Sequence, residues 1–287
     1  MPVADIAIVA DSIACLTGEM IAQYGIRLVA ANIFYNSTGY KEYVDISISE
    51  AYRLLERDPE RFATSPATPG DYVEAFRELA PHAEGILCIT ISSKISAFYE
   101  VAHVAREQVR QEFPGTSIEL LDSGHCAAAE GFVVLAAARA IAEGRGMAQA
   151  IAQARAVSRR MGFLALMDTI RYVYRTGRIP KVASQIGSAL SVKPIIGINQ
   201  GALTFVGVTR TKERGVRRIL QMMEEGVGER PVNVAVMHAD ALDEAEHLKE
   251  QVQGQFNCRE LWISEFSPIM GYSTGRGMVG LAYHEEV

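Results

Sequence analysis

Cysteine is scarce in this chain, and the few present are scattered. Cys15, Cys88, Cys126 and Cys258 stand far apart with no Cys-x-x-Cys pair, which argues against a disulfide framework and for a reduced, cytoplasmic setting. The N-terminus lacks the charged-then-apolar pattern of a secretory leader. No apolar run approaches the roughly 18 residues that a membrane-spanning helix needs. Basic residues are in the minority, with 28 Lys plus Arg against 34 Asp plus Glu and a net charge of −6, which argues against nucleic acid or an anionic membrane surface as the main partner. His82, His103, His125, His238, His247 and His284 show no metal-ligand spacing, so no metal is expected. Phosphate-cradling loops are missing too: there is no Walker loop, and no Gly-x-Gly-x-x-Gly follows a predicted strand. Nor is a Gly-x-Ser-x-Gly elbow placed at a strand-to-helix turn.

What is present is a 287-residue chain, 49% hydrophobic, long enough for a sizeable core and for two domains. Residues 85–96 are its clearest feature, an apolar run that stops abruptly at Ser92, Ser93 and Ser96. Such a run next to a helical pattern predicts an inner parallel strand of an α/β sheet. The carboxyl ends of such strands border crevices where ligands collect, with loop amides and hydroxyls as donors. Alternatively, Ser96 simply caps the following helix and its neighbours fill a polar turn.

The same strand-then-hydroxyl ending recurs. Residues 6–10 predict a buried strand that closes on Asp11-Ser12, and residues 118–121 predict another that closes on Asp122-Ser123. Thr17 predicts the cap of a short helix ending at Gly25, followed by a strand over 26–34 and a hairpin onto 40–44. Ser47 and Glu50 have capping-box spacing for a helix through Leu55. In Phe62-Ala-Thr-Ser-Pro-Ala-Thr-Pro-Gly-Asp71, Thr68 before Pro69 is a helix cap with proline at the first helical position, which leaves Thr64 and Ser65 free to bind something. Helices are predicted over 96–113 and over the alanine-rich 127–142, whose small side chains either allow close packing or leave room for an apolar ligand. The texture changes near Met161, so the expected domains are 1–160 and 161–287, both α/β. In the second, strands over 195–198 and 203–208 join through a tight turn, and alternation resumes with helices over 213–226 and 241–253 and strands over 232–237 and 261–266. The glycine-rich 271–277 is read as a tail loop.

These motifs, in this order, resemble the DegV family of bacterial fatty-acid-binding proteins over nearly the whole chain. The resemblance rests on Asp11-Ser12, Thr64-Ser65-Pro66, Ser92-Ser93-Lys94-Ile95-Ser96, Asp122-Ser123, Gly177-Arg178-Ile179, Lys193-Pro194-Ile195, Arg210-Thr211 and His238-Ala239-Asp240. It implies two α/β domains with a lipid-binding crevice between them, one long-chain fatty acid as ligand and no further cofactor. Thr64, Ser65, Ser93, Ser96, Ser273, Thr274 and Gly275 are then the ligand-binding candidates, Thr64 and Ser93 foremost. Several family members act as the acyl-carrying subunit of a fatty acid kinase, so a kinase subunit is the expected partner, with Arg171, Arg210 and His238 near the head group or docking rim.

Three departures bear on the expectation. Ser273 stands where the family has a histidine, so no titratable cation is available at that position, and Arg276 follows close by. Phe98 replaces a small residue beside the expected tunnel, and the family's glutamine between Ser65 and Pro66 is missing. A hydrolase using Ser93 with His238 or His125, and a lipid-sensing regulator without a kinase partner, remain the other readings.

Overall fold

The computed structural model describes residues 6–169, 172 and 192–286. Strands β1 (Ile6–Asp11) and β2 (Arg27–Val29) pair in parallel after the short helix α1 (Gly18–Tyr24), which Thr17 caps and Gly25 closes in the left-handed region at φ 60°. The strand expected over 26–34 is broken. Its middle is diverted because the Ala31 amide donates to Ser12 Oγ (3.0 Å) instead of joining the ladder, and the chain resumes as β3 (Asn32–Tyr35) in a second sheet with β4 (Thr38–Lys41) and β5 (Phe62–Ser65). Helix α2 (Ile48–Arg57), capped by Ser47, lies between β4 and β5.

Helix α3 (Pro69–Leu79) starts as the Thr-Pro pair predicts: Thr68 Oγ1 accepts the Asp71 amide and Asp71 Oδ2 accepts the Thr68 amide. It leads to β6 (Gly85–Thr90), buried at every residue, then α4 (Phe98–Glu112), β7 (Ser117–Asp122), α5 (Ala127–Ala142) and α6 (Met147–Arg160). The parallel order β2-β1-β6-β7 makes β6 an inner strand, which explains its continuous apolar run.

From Gly162 the chain builds a third, six-stranded sheet. Strands β8 (Gly162–Leu166), β9 (Lys193–Asn199), β10 (Ala202–Thr209), β11 (Val232–His238), β12 (Cys258–Glu265) and β13 (Val279–Glu285) are ordered β10-β9-β8-β13-β11-β12. Helices α7 (Lys212–Val227) and α8 (Leu242–Gln255) cover one face of it with a core of their own. The other face joins the core of the first sheet, so Phe163, Ala165, Met167, Met237 and Ala282 share one apolar cluster with Val9, Ile89 and Phe132. Helix α5 runs between the sheets and is buried almost all round. It packs closely against the turn after β1: a Cβ at Gly131 would come within 2.7 Å of the Ala14 carbonyl oxygen.

Two expectations are corrected. Ser96 does not cap α4, whose N-cap is Ala97 with no side-chain bond. The segment 271–277 is no tail loop: most of it belongs to helix α9 (Pro268–Thr274), and β13 follows it. Strands β5 and β13 and helix α6 have no counterpart among the elements the sequence predicts.

Candidate functional site

The parallel sheet, the β5 end and the inner face of the six-stranded sheet enclose a cavity. Its free space, mouth included, is about 820 Å³. The apolar wall comes from the ends of β1 and β6 (Ile13, Ile91), the start of α5 (Cys126), the strand face of Phe163, Ala165, Met167, Ile196 and Leu203, the loop and start of α4 (Ile95, Phe98), and the segment through α9 (Phe266, Ile269, Met270). Phe98, which the sequence places beside a tunnel, is 1% exposed and lines it. The polar part of the lining consists of hydroxyls: Thr64, Ser65, Ser96, Ser273 and Thr274. Stacking of Phe62 on Tyr272, centroids 5.7 Å apart, holds β5 against α9 and so brings the Thr64 and Ser273 segments together.

These hydroxyls are not equivalent. Ser65 Oγ donates to its neighbour's carbonyl, Pro66 O, at 3.0 Å, and Thr274 Oγ1 donates to Met270 O at 3.1 Å. Among the described residues, the hydroxyls of Thr64, Ser96 and Ser273 have no hydrogen-bond partner, which leaves them available to a ligand.

Ser93 is not brought into this lining. Its hydroxyl donates to Asp122 Oδ2 at 2.6 Å and its amide to the same oxygen at 3.2 Å, while Asp122 Oδ1 takes the Gly124 amide. Ser93 therefore ties the β6 and β7 ends together, and the neighbouring Ser92 ties that loop across to Gly201 O at 2.7 Å. Gly275 also lies off the lining; at φ 78° it ends α9, and a Cβ there would meet the Tyr172 ring at 2.4 Å. His238 closes β11, is 3% exposed, and accepts the Ala241 amide on Nδ1 at 3.2 Å. Burial lowers its pKa and keeps it neutral. Arg210 is exposed after β10. Arg171, with the Gly177-Arg178-Ile179 motif, lies outside the described residues. Arg276 pairs with Glu56 and Asp240 instead of reaching the cavity.

Behind the apolar wall sits a group of buried carboxyls. Asp11 accepts the amides of Ile13 (3.0 Å) and Ile91 (2.8 Å), and burial nonetheless pushes its pKa up to about 7. Glu130, on α5, is driven far above the usual range by burial and by the Asp11 charge. Among the described residues no hydrogen-bond partner reaches either of its oxygens, and burial keeps it protonated. Glu42 accepts Ser12 Oγ (2.7 Å) and the Ile269 amide (3.1 Å), and burial raises it to about 7. The sequence predicts a strand over 163–167, which β8 is, but not that its face walls the cavity, and Glu42 and Glu130 were not singled out. The period-two spacing of Phe163, Ala165 and Met167 marks one strand face, and a lone glutamate inside an otherwise apolar helix was a visible signal.

Two motif spacings take contexts that remove their usual meaning. Gly271-Tyr272-Ser273-Thr274-Gly275 has Gly-x-Ser-x-Gly spacing, but Ser273 lies near the end of α9 and not at a strand-to-helix turn. Gly275, Gly277 and Gly280 have Gly-x-Gly-x-x-Gly spacing, but they follow a helix and lead into β13. Among the described residues no cluster of His, Cys, Asp or Glu has the arrangement of a metal site.

Fold and site thus define an α/β protein that encloses an apolar cavity with a hydroxyl-bearing lining. Residues 5–286 match the model of the DegV family, described as uncharacterised proteins, and the chain belongs to that family. It is 30% identical to a DegV domain-containing protein of Halalkalibacterium halodurans over 283 residues, covering 98% of this chain and 99% of the relative. A DegV domain-containing protein of Clostridium acetobutylicum is 29% identical over 286 residues, 98% of each chain. Among solved structures, the fold is shared with the DegV fatty-acid-binding protein of Bacillus subtilis (TM-score 0.89, 24% identity, 99% of this chain and 100% of the other). It is likewise shared with a stearic-acid-binding protein of Eubacterium ventriosum (TM-score 0.90, 22% identity, 98% of each chain).

Proposed function

We propose that this protein binds one long-chain fatty acid, with the tail along the apolar wall and the carboxylate at Thr64, Ser96 and Ser273. The observation that carries the reading is the division of the lining: extensive apolar surface, and polar groups that are hydroxyls with three of them unengaged among the described residues. Each buried methylene contributes about 0.8 kcal/mol and each hydrogen bond to a carboxylate about 1.5 to 3 kcal/mol, so tail and head group both add to affinity. The fatty acids named for the structural relatives support the same ligand class.

The same reading makes the chain a cytoplasmic carrier that presents its ligand to a separate kinase subunit for conversion to acyl phosphate, with exposed Arg210 on the docking rim. A hydrolase using Ser93 finds less support, since that hydroxyl donates to Asp122 while His125 Nε2 contacts Ser158 O (2.9 Å) and His238 Nδ1 takes an amide. Titration of delipidated protein with palmitate and with oleate tests the binding, and expected saturation is near one per chain. Turnover of an acyl ester by the protein alone would contradict the carrier reading. Acyl phosphate is expected from ATP and fatty acid only when the kinase subunit is added.

A further inference from the structure

Helix α9 and the residue before its N-cap supply Phe266, Ile269, Met270, Ser273 and Thr274 to the cavity, so its placement decides where the unengaged Ser273 hydroxyl stands. The helix connects β12 to β13 of the six-stranded sheet, yet it is fastened by residues from the first sixty. Glu42 Oε1 accepts the Ile269 amide at 3.1 Å, and Oε2 accepts Ser12 Oγ at 2.7 Å. Ser12 Oγ in turn accepts the Ala31 amide at 3.0 Å. Around this link, Tyr52 donates to Phe266 O at 3.0 Å and Ser264 donates to Cys15 O at 2.9 Å. Glu42 is 1% exposed. It alone in this set bonds to the backbone of the helix itself.

We propose that Glu42 is a positioning residue for head-group recognition, fixing α9 so that Ser273 meets the ligand's carboxylate. The proposal rests on the fatty-acid reading and names the residue that gives that site its selectivity for a free acid over a neutral ester. Removing the Glu42 carboxyl leaves the Ile269 amide and the Ser12 hydroxyl without their acceptor, and α9 loses its polar tether to Ser12. The tail contacts of β8, β9 and α4 do not pass through this link. Head-group discrimination is therefore the property that responds.

The experiment compares palmitate with methyl palmitate on delipidated protein, for wild type, Glu42→Ala, Glu42→Gln and Ser12→Ala. Wild type is expected to prefer the acid by about tenfold or more, the worth of at least one hydrogen bond to a carboxylate. Glu42→Ala is expected to lose most of that preference, with a smaller loss for methyl palmitate because Phe266, Ile269 and Met270 of the same segment line the apolar wall. Glu42→Gln, which still offers a carbonyl oxygen to the Ile269 amide, is expected to restore it. Should Glu42→Ala not fold, Ser12→Ala carries the test, with reduced preference expected. A preference unchanged in Glu42→Ala and Ser12→Ala, an equal loss for both ligands, or a Glu42→Gln protein that behaves like Glu42→Ala would overturn the proposal. Wild type that binds neither ligand would overturn the fatty-acid reading itself, a result distinct from the variant outcomes.

Discussion

Replacing Glu42 by glutamine should change how the stability of this protein depends on pH. Glu42 loses its proton near 4.5 in an unfolded chain and near 7 in the folded protein, because burial disfavours its charge more than the Ser12 hydroxyl and the Ile269 amide favour it. Between those values the folded state holds a proton that the unfolded state has released, so stability falls as pH rises through the window and levels off above pH 7. At about 1.4 kcal/mol per tenfold change in proton affinity, this group opposes folding by about 2.5 kcal/mol more at pH 8 than at pH 5. Glutamine has no proton to release. The difference in unfolding free energy, variant minus wild type, should therefore grow by that amount between the two conditions, whatever constant offset the altered hydrogen bonds introduce. Taking the difference also cancels His125, His238 and His284, whose depressed pKa values act in the opposite direction. Urea titrations at half-unit pH steps measure it, with the slope against urea unchanged if the denatured state is the same. A difference that stays flat from pH 5 to pH 8, or shrinks, would refute the assignment of a raised pKa to this carboxyl.

Other consequences can be checked on the binding of palmitate. Thr64→Val and Ser273→Ala should each weaken it by about tenfold, as the loss of one charge-assisted hydrogen bond requires, while calorimetry shows a melting temperature close to wild type. Ser93→Ala should affect affinity less than either and lower thermal stability more, since its hydroxyl serves Asp122. Phe98→Gly should extend tolerance to longer or more bent chains, read from the ligand profile taken up from a fatty acid mixture. Arg210→Glu should slow association with the kinase subunit and reduce its salt dependence, as rim charges do, and stopped-flow rates at two ionic strengths would show it.

Much of the fold could be read from the chain because its signals are local. The apolar run into Ser92 makes an inner strand, Thr68-Pro69 makes a helix start, and Asn199-Gln200-Gly201 makes the β9–β10 turn, each settled by a few neighbouring residues. The break at Ala31 could not be seen this way, since it depends on an amide that leaves its ladder for Ser12, nineteen positions away. Strand β13 was overlooked beside the glycine-rich stretch before it, and α9 was hidden by the glycines at 271 and 275. The hydroxyl lining was legible in part. Ser96 stands beyond the strand end that predicted it, and Thr64 was legible as a hydroxyl left free once Thr68 caps α3, but the role of Ser93 turned on a partner, Asp122, that only the parallel register of β6 and β7 brings near. The tethering by Glu42 was invisible because its partners, Ser12 and Ile269, lie far away in the chain.

Occupation of the cavity between the parallel and six-stranded sheets by a single fatty acid is tested most directly by mass spectrometry of an organic extract from the purified protein. A long-chain fatty acid near one per chain is expected, with a marked loss of it from the extract of a Thr64→Val, Ser273→Ala double variant. An empty extract, together with no uptake of added palmitate or oleate, would contradict it.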